Sequence, residues 1–193
     1  DLGLWKLEKL DLEWGNWDLA DISPLKNLYN LNWLRVRGSQ VSDLSALSNL
    51  RSLKWLDFGW SQVQDITPLA NLTRLEELYL RSNQIQDVAP LASLVRMRGL
   101  DIGENQIKEL SLLAALKNLN WLNLDSNGLE SLAPLSGLTN LTNLSANNNK
   151  LTALDAGSLP RLSWANFQNN QITELGDLSG LIGLEGLYLD GNN

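Results

Sequence analysis

Apolar residues recur along this chain in a fixed unit. Read from Leu72, they fall at Leu72, Leu75, Leu78, Leu80, Ile85, Val88 and Leu91, with Asn83 between them. Read from Leu116, they fall at Leu116, Leu119, Leu122, Leu124, Leu129, Leu132 and Leu135, with Asn127 at the same offset. Units start at Leu4, Leu28, Leu50, Leu72, Leu94, Leu116, Leu138, Leu159 and Leu181, spaced by 24, 22, 22, 22, 22, 22, 21 and 22 residues. A fixed period of this length predicts a solenoid, in which each unit buries its apolar edge against its neighbours. The length of 193 residues would otherwise suggest one or two globular domains. The repeat replaces that expectation with a single array over 1–193, about eight full repeats and a truncated ninth.

Numbering each unit from its first leucine, the apolar spacing changes from three (positions 1, 4 and 7) to two (positions 7 and 9). Spacing of two marks a strand with one buried face. Positions 6 to 10 are therefore expected to form a short strand, with 7 and 9 inward and 6, 8 and 10 outward. Stacked units would make these strands parallel neighbours, roughly 4.8 Å apart. Position 12 is Asn83, Asn105, Asn127, Asn149, Asn170 and Asn192. An amide both donates and accepts, so a buried asparagine column can satisfy the backbone where each turn leaves the sheet. Ser39 and Ser61 take that place in two early repeats. Their shorter reach predicts adjusted turns there.

The return arm carries Ser23-Pro24-Leu25, Thr67-Pro68-Leu69, Ala89-Pro90-Leu91 and Ala133-Pro134-Leu135. Ser or Thr before Pro suits the cap and first position of a helical turn. The few residues available favour 3₁₀ turns over full α-helices. Asp21, Asp43, Asp65, Asp87 and Glu109 form an acidic column beside these turns, read as capping groups, with a metal stripe as the lesser alternative.

These residues resemble a leucine-rich-repeat protein, and more narrowly the 22-residue class of bacterial internalins and phosphatase-regulating repeat proteins. The segments Val63-Gln64-Asp65-Ile66-Thr67-Pro68-Leu69-Ala70-Asn71-Leu72 and Asn83-Gln84-Ile85-Gln86-Asp87-Val88-Ala89-Pro90-Leu91 are very similar to the internalin repeat. The resemblance covers essentially the whole chain. It implies an α/β right-handed horseshoe with a parallel β-sheet on the concave face and short turns on the convex face. It further implies a binding module for a protein, at the surface of a bacterium or outside it, with a cytoplasmic setting as the alternative. Internalin-type arrays carry a helical cap before the first repeat and another cap after the last. The chain begins inside a repeat and stops at Asn192-Asn193, so both caps are expected in flanking segments.

Composition narrows the chemistry. The chain has no Cys and no His, which leaves no thiol chemistry, no Cys/His zinc site and no His general base within this segment. The net charge of −7 argues against a nucleic-acid backbone as partner. No apolar run reaches the ~18 residues of a membrane span, and the first residues lack the basic region of a signal peptide. No cofactor is implied, and no Gly-x-x-x-x-Gly-Lys-Ser/Thr loop occurs. Asn71-Leu72-Thr73 and Asn140-Leu141-Thr142 match glycosylation acceptors but fall on obligatory repeat positions.

Eight tryptophans are the outlier. Trp33, Trp55, Trp121 and Trp164 occupy the outward position 6; Trp14 and Trp60 lie at position 11; Tyr79 and Tyr188 take the outward position 8. Trp5 and Trp17 are read as end-packing groups. Interfaces are enriched in Trp, Tyr and Arg, and large exposed apolar patches mark binding sites. The candidate ligand face is therefore Trp33, Arg35, Arg37, Trp55, Asp57, Trp60, Tyr79 and Arg81, extended by Trp121 and Trp164. Gly59, Gly99 and Gly103 at outward positions are expected to leave depressions for ligand side chains. Asn123, Ser145, Asn147, Asn148 and Asn166 supply polar contacts or are simply solvated. A protein partner is the leading expectation. A glycan along Trp121, Asn143 and Trp164 is the first alternative, and a structural or regulatory spacer the second. Catalysis is not expected: the best pair, Asp57 and Asp101, lies roughly 9.6 Å apart along the sheet without a cleft to separate the two pKa values.

Overall fold

The computed structural model describes residues 4–12, 18–154 and 159–193. Among them, nine strands form one parallel sheet in chain order: β1 (Lys9–Asp11), β2 (Trp33–Arg35), β3 (Trp55–Asp57), β4 (Glu77–Tyr79), β5 (Gly99–Asp101), β6 (Trp121–Asn123), β7 (Asn143–Ser145), β8 (Trp164–Asn166) and β9 (Gly186–Tyr188). The register is that of the repeat, with Leu34, Leu56, Leu78, Leu100, Leu122 and Leu144 in line across β2 to β7. The return arms hold only short 3₁₀ turns such as Thr67–Leu69 and Ala89–Ser93. This is the parallel-sheet solenoid that the period predicts.

Each strand covers positions 6 to 8, shorter than the five residues expected. The backbone ladder nonetheless continues to position 11, through Val36 N to Asp57 O at 2.8 Å and Trp60 N to Arg81 O at 2.8 Å. At position 11 the chain turns. Trp60, Ser82, Glu104, Ser126, Asn148 and Asn169 all have φ between 53 and 56°, and Gly38 holds the same place at 68°.

The leucines at positions 1, 4 and 7 and the apolar residues at position 9 form one continuous core from Ile22 to Leu181. The asparagine column runs beneath the turns. Asn105 Oδ1 accepts the Ile85 N–H at 3.0 Å, while its Nδ2 donates to Leu80 O at 3.0 Å and Ile102 O at 3.1 Å. Asn83, Asn127, Asn149 and Asn170 repeat the pattern. Each amide therefore ties its own repeat to the one before. The serines do not reach as far: Ser39 and Ser61 bond each other at 2.9 Å, and Ser39 Oγ accepts Val41 N at 3.3 Å.

The acidic column caps the return turns. Asp21, Asp43, Asp65 and Asp87 each accept the backbone N–H two residues on at 2.8 Å, as does Glu109 from Ser111. The N-cap position itself is apolar (Ile22, Ile66, Val88); the acidic residue before it takes the first N–H of the turn, and the Ser or Thr before Pro is already inside the turn, which corrects the expectation that the hydroxyl residue caps. The Ser23 backbone bond holds the Asp21 carboxyl below its ordinary range, and the Ser111 bond does the same for Glu109. Depressed carboxylates contribute above their unfolded pKa and lose that contribution as pH falls through the folded value.

Asn105→Ala should cost about 2–5 kcal/mol in chemical denaturation, because it leaves the buried Ile85 N–H unpaired and removes one of the two amide bonds at Leu80 O and at Ile102 O, which Asn83 and Asn127 still serve. Leu78→Ala should fall in the same range for a different reason, a cavity of lost apolar contacts. A loss below about 1 kcal/mol for Asn105→Ala would show that the ladder is dispensable.

Candidate functional site

The outward positions of the sheet face are filled by rings and charges rather than left open. Parallel register sets Trp33 opposite Trp55, and their rings stack at 4.4 Å between centroids and 8° between planes. Tyr79 from position 8 of β4 continues the row, 5.1 Å from Trp55 and 5.4 Å from Trp121. Trp121 reaches it because its indole lies over Gly99, where a Cβ would overlap the ring. Four rings thus form a spine across β2 to β6. Offset and tilted aromatic pairs of this kind are worth ~0.5–1.5 kcal/mol beyond the area they bury. Cations cover the β2 end: Lys9 Nζ stands 4.2 Å from the Trp33 centroid, and the Arg35 guanidinium 4.9 Å from Trp33 and 5.4 Å from Trp55.

Charged side chains line the rim at positions 8, 10 and 11. Arg35 lies 3.6 Å from Asp11, and Arg37 lies 3.8 Å from the buried Asp57. Arg81 bridges forward to Glu104 at 2.6 Å and to Asp125 at 3.5 Å. Trp60 is 40 % exposed, and the Arg37 guanidinium sits over its ring at 4.2 Å. Asp57 and Asp101 each accept the backbone N–H two residues on, at 2.8 and 3.0 Å, so each closes the bend after its strand. Burial pushes the Asp101 carboxyl above its ordinary value, against the Gly103 N–H and Arg81, which pull it down. Tyr79 donates its hydroxyl to Glu77 at 2.7 Å; burial and that carboxylate both raise its pKa.

The depressions expected at Gly59, Gly99 and Gly103 are occupied. The Trp121 indole covers Gly99, the Asp57 carboxylate and Arg37 close over Gly59, and Asn123, Arg81 and Asp101 surround Gly103. All ten candidate residues share the outward side of the sheet. Trp33, Arg35, Trp55, Tyr79 and Trp121 form one contact network, with Arg37, Asp57 and Trp60 a second beside it. Arg81 joins Glu104 and Asp125, neither of which the sequence reading selected. Trp164 stands apart: its ring covers Gly186 and stacks on Tyr188 at 6.1 Å and 13°. Between Trp121 and Trp164 the face opens into a cavity of about 410 Å³ above Asn143 and Ser145. Trp5 is 53 % exposed rather than packed against the core. Trp14 and Trp17 lie outside the described residues. No cluster of three or more acidic side chains placed to hold a metal occurs among the described residues.

Comparison with known proteins matches this geometry. The family model for leucine-rich repeats (two copies) fits residues 51–93 and 73–115. The crystal structure of internalin C2 from Listeria monocytogenes superposes with a TM-score of 0.91 at 33 % identity, over 96 % of this chain and 82 % of that one. The chain belongs to the internalin-type leucine-rich-repeat family. An internalin (inlF) from the same species matches at 34 % identity and TM-score 0.82, over 91 % of this chain. A leucine-rich-repeat protein of Leptospira interrogans matches at 30 % and 0.90, over 97 %. This internalin-type chain spans 59 % of the inlF chain and 50 % of the Leptospira chain. Among curated proteins, sequence comparison finds no match.

Two outcomes follow from the geometry of this internalin-type face. Asp101→Asn should keep the bond to Gly103 N, as Asn123 does to Asp125 N at 2.9 Å in the next repeat, while removing a half-buried charge. A raised carboxyl pKa disfavours the folded state as pH climbs through the folded value. The variant should therefore match or exceed wild type in melting temperature at pH 7, with wild type closing the gap as pH falls; lower stability at pH 7 would contradict this. Trp60→Gly should stay within about 1 kcal/mol of wild type, because relief of the left-handed backbone (~1–3 kcal/mol) offsets the lost contact with Arg37. Denaturant titration decides it.

Proposed function

We propose that the sheet face from Trp33 to Arg81 binds a protein partner. Leucine-rich-repeat folds of the internalin type generally mediate protein–protein interaction. The observation that carries the assignment to this surface is Trp60. It is a bulky aromatic held at φ 55° where the preceding repeat uses Gly38, and it stays 40 % exposed beside Arg37. The left-handed φ belongs to position 11 of every repeat after the first, so what marks Trp60 is a large exposed ring where the others carry Gly, Ser, Glu or Asn. An exposed Trp–Arg pair has the composition of an interface hot spot. Beside it, the half-buried stack of Trp33, Trp55 and Tyr79 supplies a rigid platform that needs little reordering on contact, which lowers the entropic cost of association. The paired charges of Arg35, Arg37, Asp57 and Arg81 would set orientation and exclude partners of mismatched charge more than they would add affinity. By its resemblance to the internalins, the chain is assigned to the surface or exterior of a bacterium.

The test is a binding screen against extracellular protein domains with wild type and Trp60→Gly in parallel. Loss of at least about thirtyfold in affinity on Trp60→Gly, with the fold intact, is the expected hot-spot signature. A partner whose affinity ignores Trp60→Gly and Arg81→Ala but falls with Arg74→Ala, an exposed residue of the turn before β4, would move the site off this face.

A further inference from the structure

The trough above β7 shares only Trp121 with the end of the spine and lies away from Trp60. β7 presents Asn143 in register between Trp121 of β6 and Trp164 of β8. Neither ring leans over it: Trp121 covers Gly99 toward β5, and Trp164 covers Gly186 toward β9. The two glycines thus take the two indoles and leave the strand between them uncovered. The tryptophan backbones stand two strand spacings apart, roughly 9.6 Å. The cavity of about 410 Å³ lies within the ~300–1,000 Å³ common for small-molecule sites.

The floor has a one-sided hydrogen-bonding character. Asn123 Oδ1 accepts from Asp125 N at 2.9 Å, Asn143 Oδ1 from Thr142 Oγ1 at 2.8 Å, and Asn166 Oδ1 from Gln168 N at 3.4 Å. The Asn123 and Asn143 oxygens each accept one short bond and the Asn166 oxygen only a long one, since Gln168 N is held at 2.8 Å by Asn147, while the three NH₂ groups donate to nothing among the described residues. Ser145 already donates to Asp125 at 2.6 Å and accepts from Asn147 at 3.0 Å. No charged side chain lines the trough.

We propose that this trough is a binding subsite for a neutral saccharide, a hexose or N-acetylhexosamine unit of a glycan. A pyranose offers an apolar C–H face to the indole walls. Its hydroxyl oxygens accept from the three amides, and its hydroxyl hydrogens can turn to the open side. The floor offers three free NH₂ groups against oxygens that each already accept a bond, and this excess of donors suits a saccharide, rich in acceptor oxygens, better than a peptide, whose N–H groups match its carbonyls nearly one for one. The uncharged lining gives sialic or sulfated sugars no counter-charge. The subsite stands on its own residues and does not depend on the protein-binding reading.

Asn143→Trp tests it. Tryptophan is the native residue at this position in β2, β3, β6 and β8, so the substitution suits the repeat and fills the trough. Wild type, Asn143→Trp and Trp164→Ala are compared on an array of neutral hexose and N-acetylhexosamine oligosaccharides beside sialylated and sulfated ones. Hits are then titrated by calorimetry up to millimolar concentration. The expected result is binding of a neutral glycan by wild type, weakened at least tenfold in both variants, with the melting temperature of Asn143→Trp unchanged. Absence of neutral-glycan binding by wild type overturns the proposal. So does equal binding by Asn143→Trp, binding of anionic glycans only, or a peptide ligand that Asn143→Trp displaces while no glycan binds.

Discussion

The asparagine ladder is the interaction on which the rest of this solenoid depends. Leucines packed between repeats supply the bulk of the burial, but apolar contact is non-directional and would tolerate a slipped register. The amides do not. Asn83, Asn105, Asn127, Asn149 and Asn170 each fix one N–H of the preceding repeat and one carbonyl in each of two repeats. Those groups lie where the chain turns at a left-handed residue and would otherwise be buried without partners. Ladder and turn together set which side chains at positions 6, 8 and 10 face outward, and hence the whole composition of the sheet face.

On that fixed frame the face divides by the residues its glycines admit. Gly99 lets Trp121 reach back to Tyr79, which closes the spine from Trp33 onward. Gly186 takes Trp164 the other way. The same choice of glycine that completes one aromatic row therefore opens the trough over β7. The rim charges follow a similar economy of position: Arg81 spans three repeats by meeting Glu104 and Asp125 together.

Much of this was legible in the residues alone. The period of 22 fixed the solenoid, the change from three to two placed the strands, and the alternation put Trp33, Trp55, Tyr79 and Trp164 on one side. The asparagine column and the capping role of Asp21 to Glu109 were readable from chemistry and spacing. What was not readable depends on side-chain reach across strands. Glycines at positions 6 and 10 signal missing side chains, not that Trp121, Asp57 or Arg81 would fill the space. Arg81 and Asp125 are 44 residues apart, and only the stacked geometry brings them together. The Ser-Pro and Thr-Pro pairs are strong cap signals in isolation, yet each hydroxyl residue is the first of its turn, and the acidic residue two before it takes that residue's own N–H.

The most direct test of this account is amide hydrogen exchange on the free protein. The N–H groups of Ile85, Ile107 and Leu129 are each held by an asparagine oxygen at 3.0 Å, whereas that of Val41 has only the longer bond to Ser39. The account predicts that Ile85, Ile107 and Leu129 exchange only with opening on the scale of global unfolding, and that Val41 exchanges markedly faster. Equal, rapid exchange at all four would show that the ladder does not hold the repeats together.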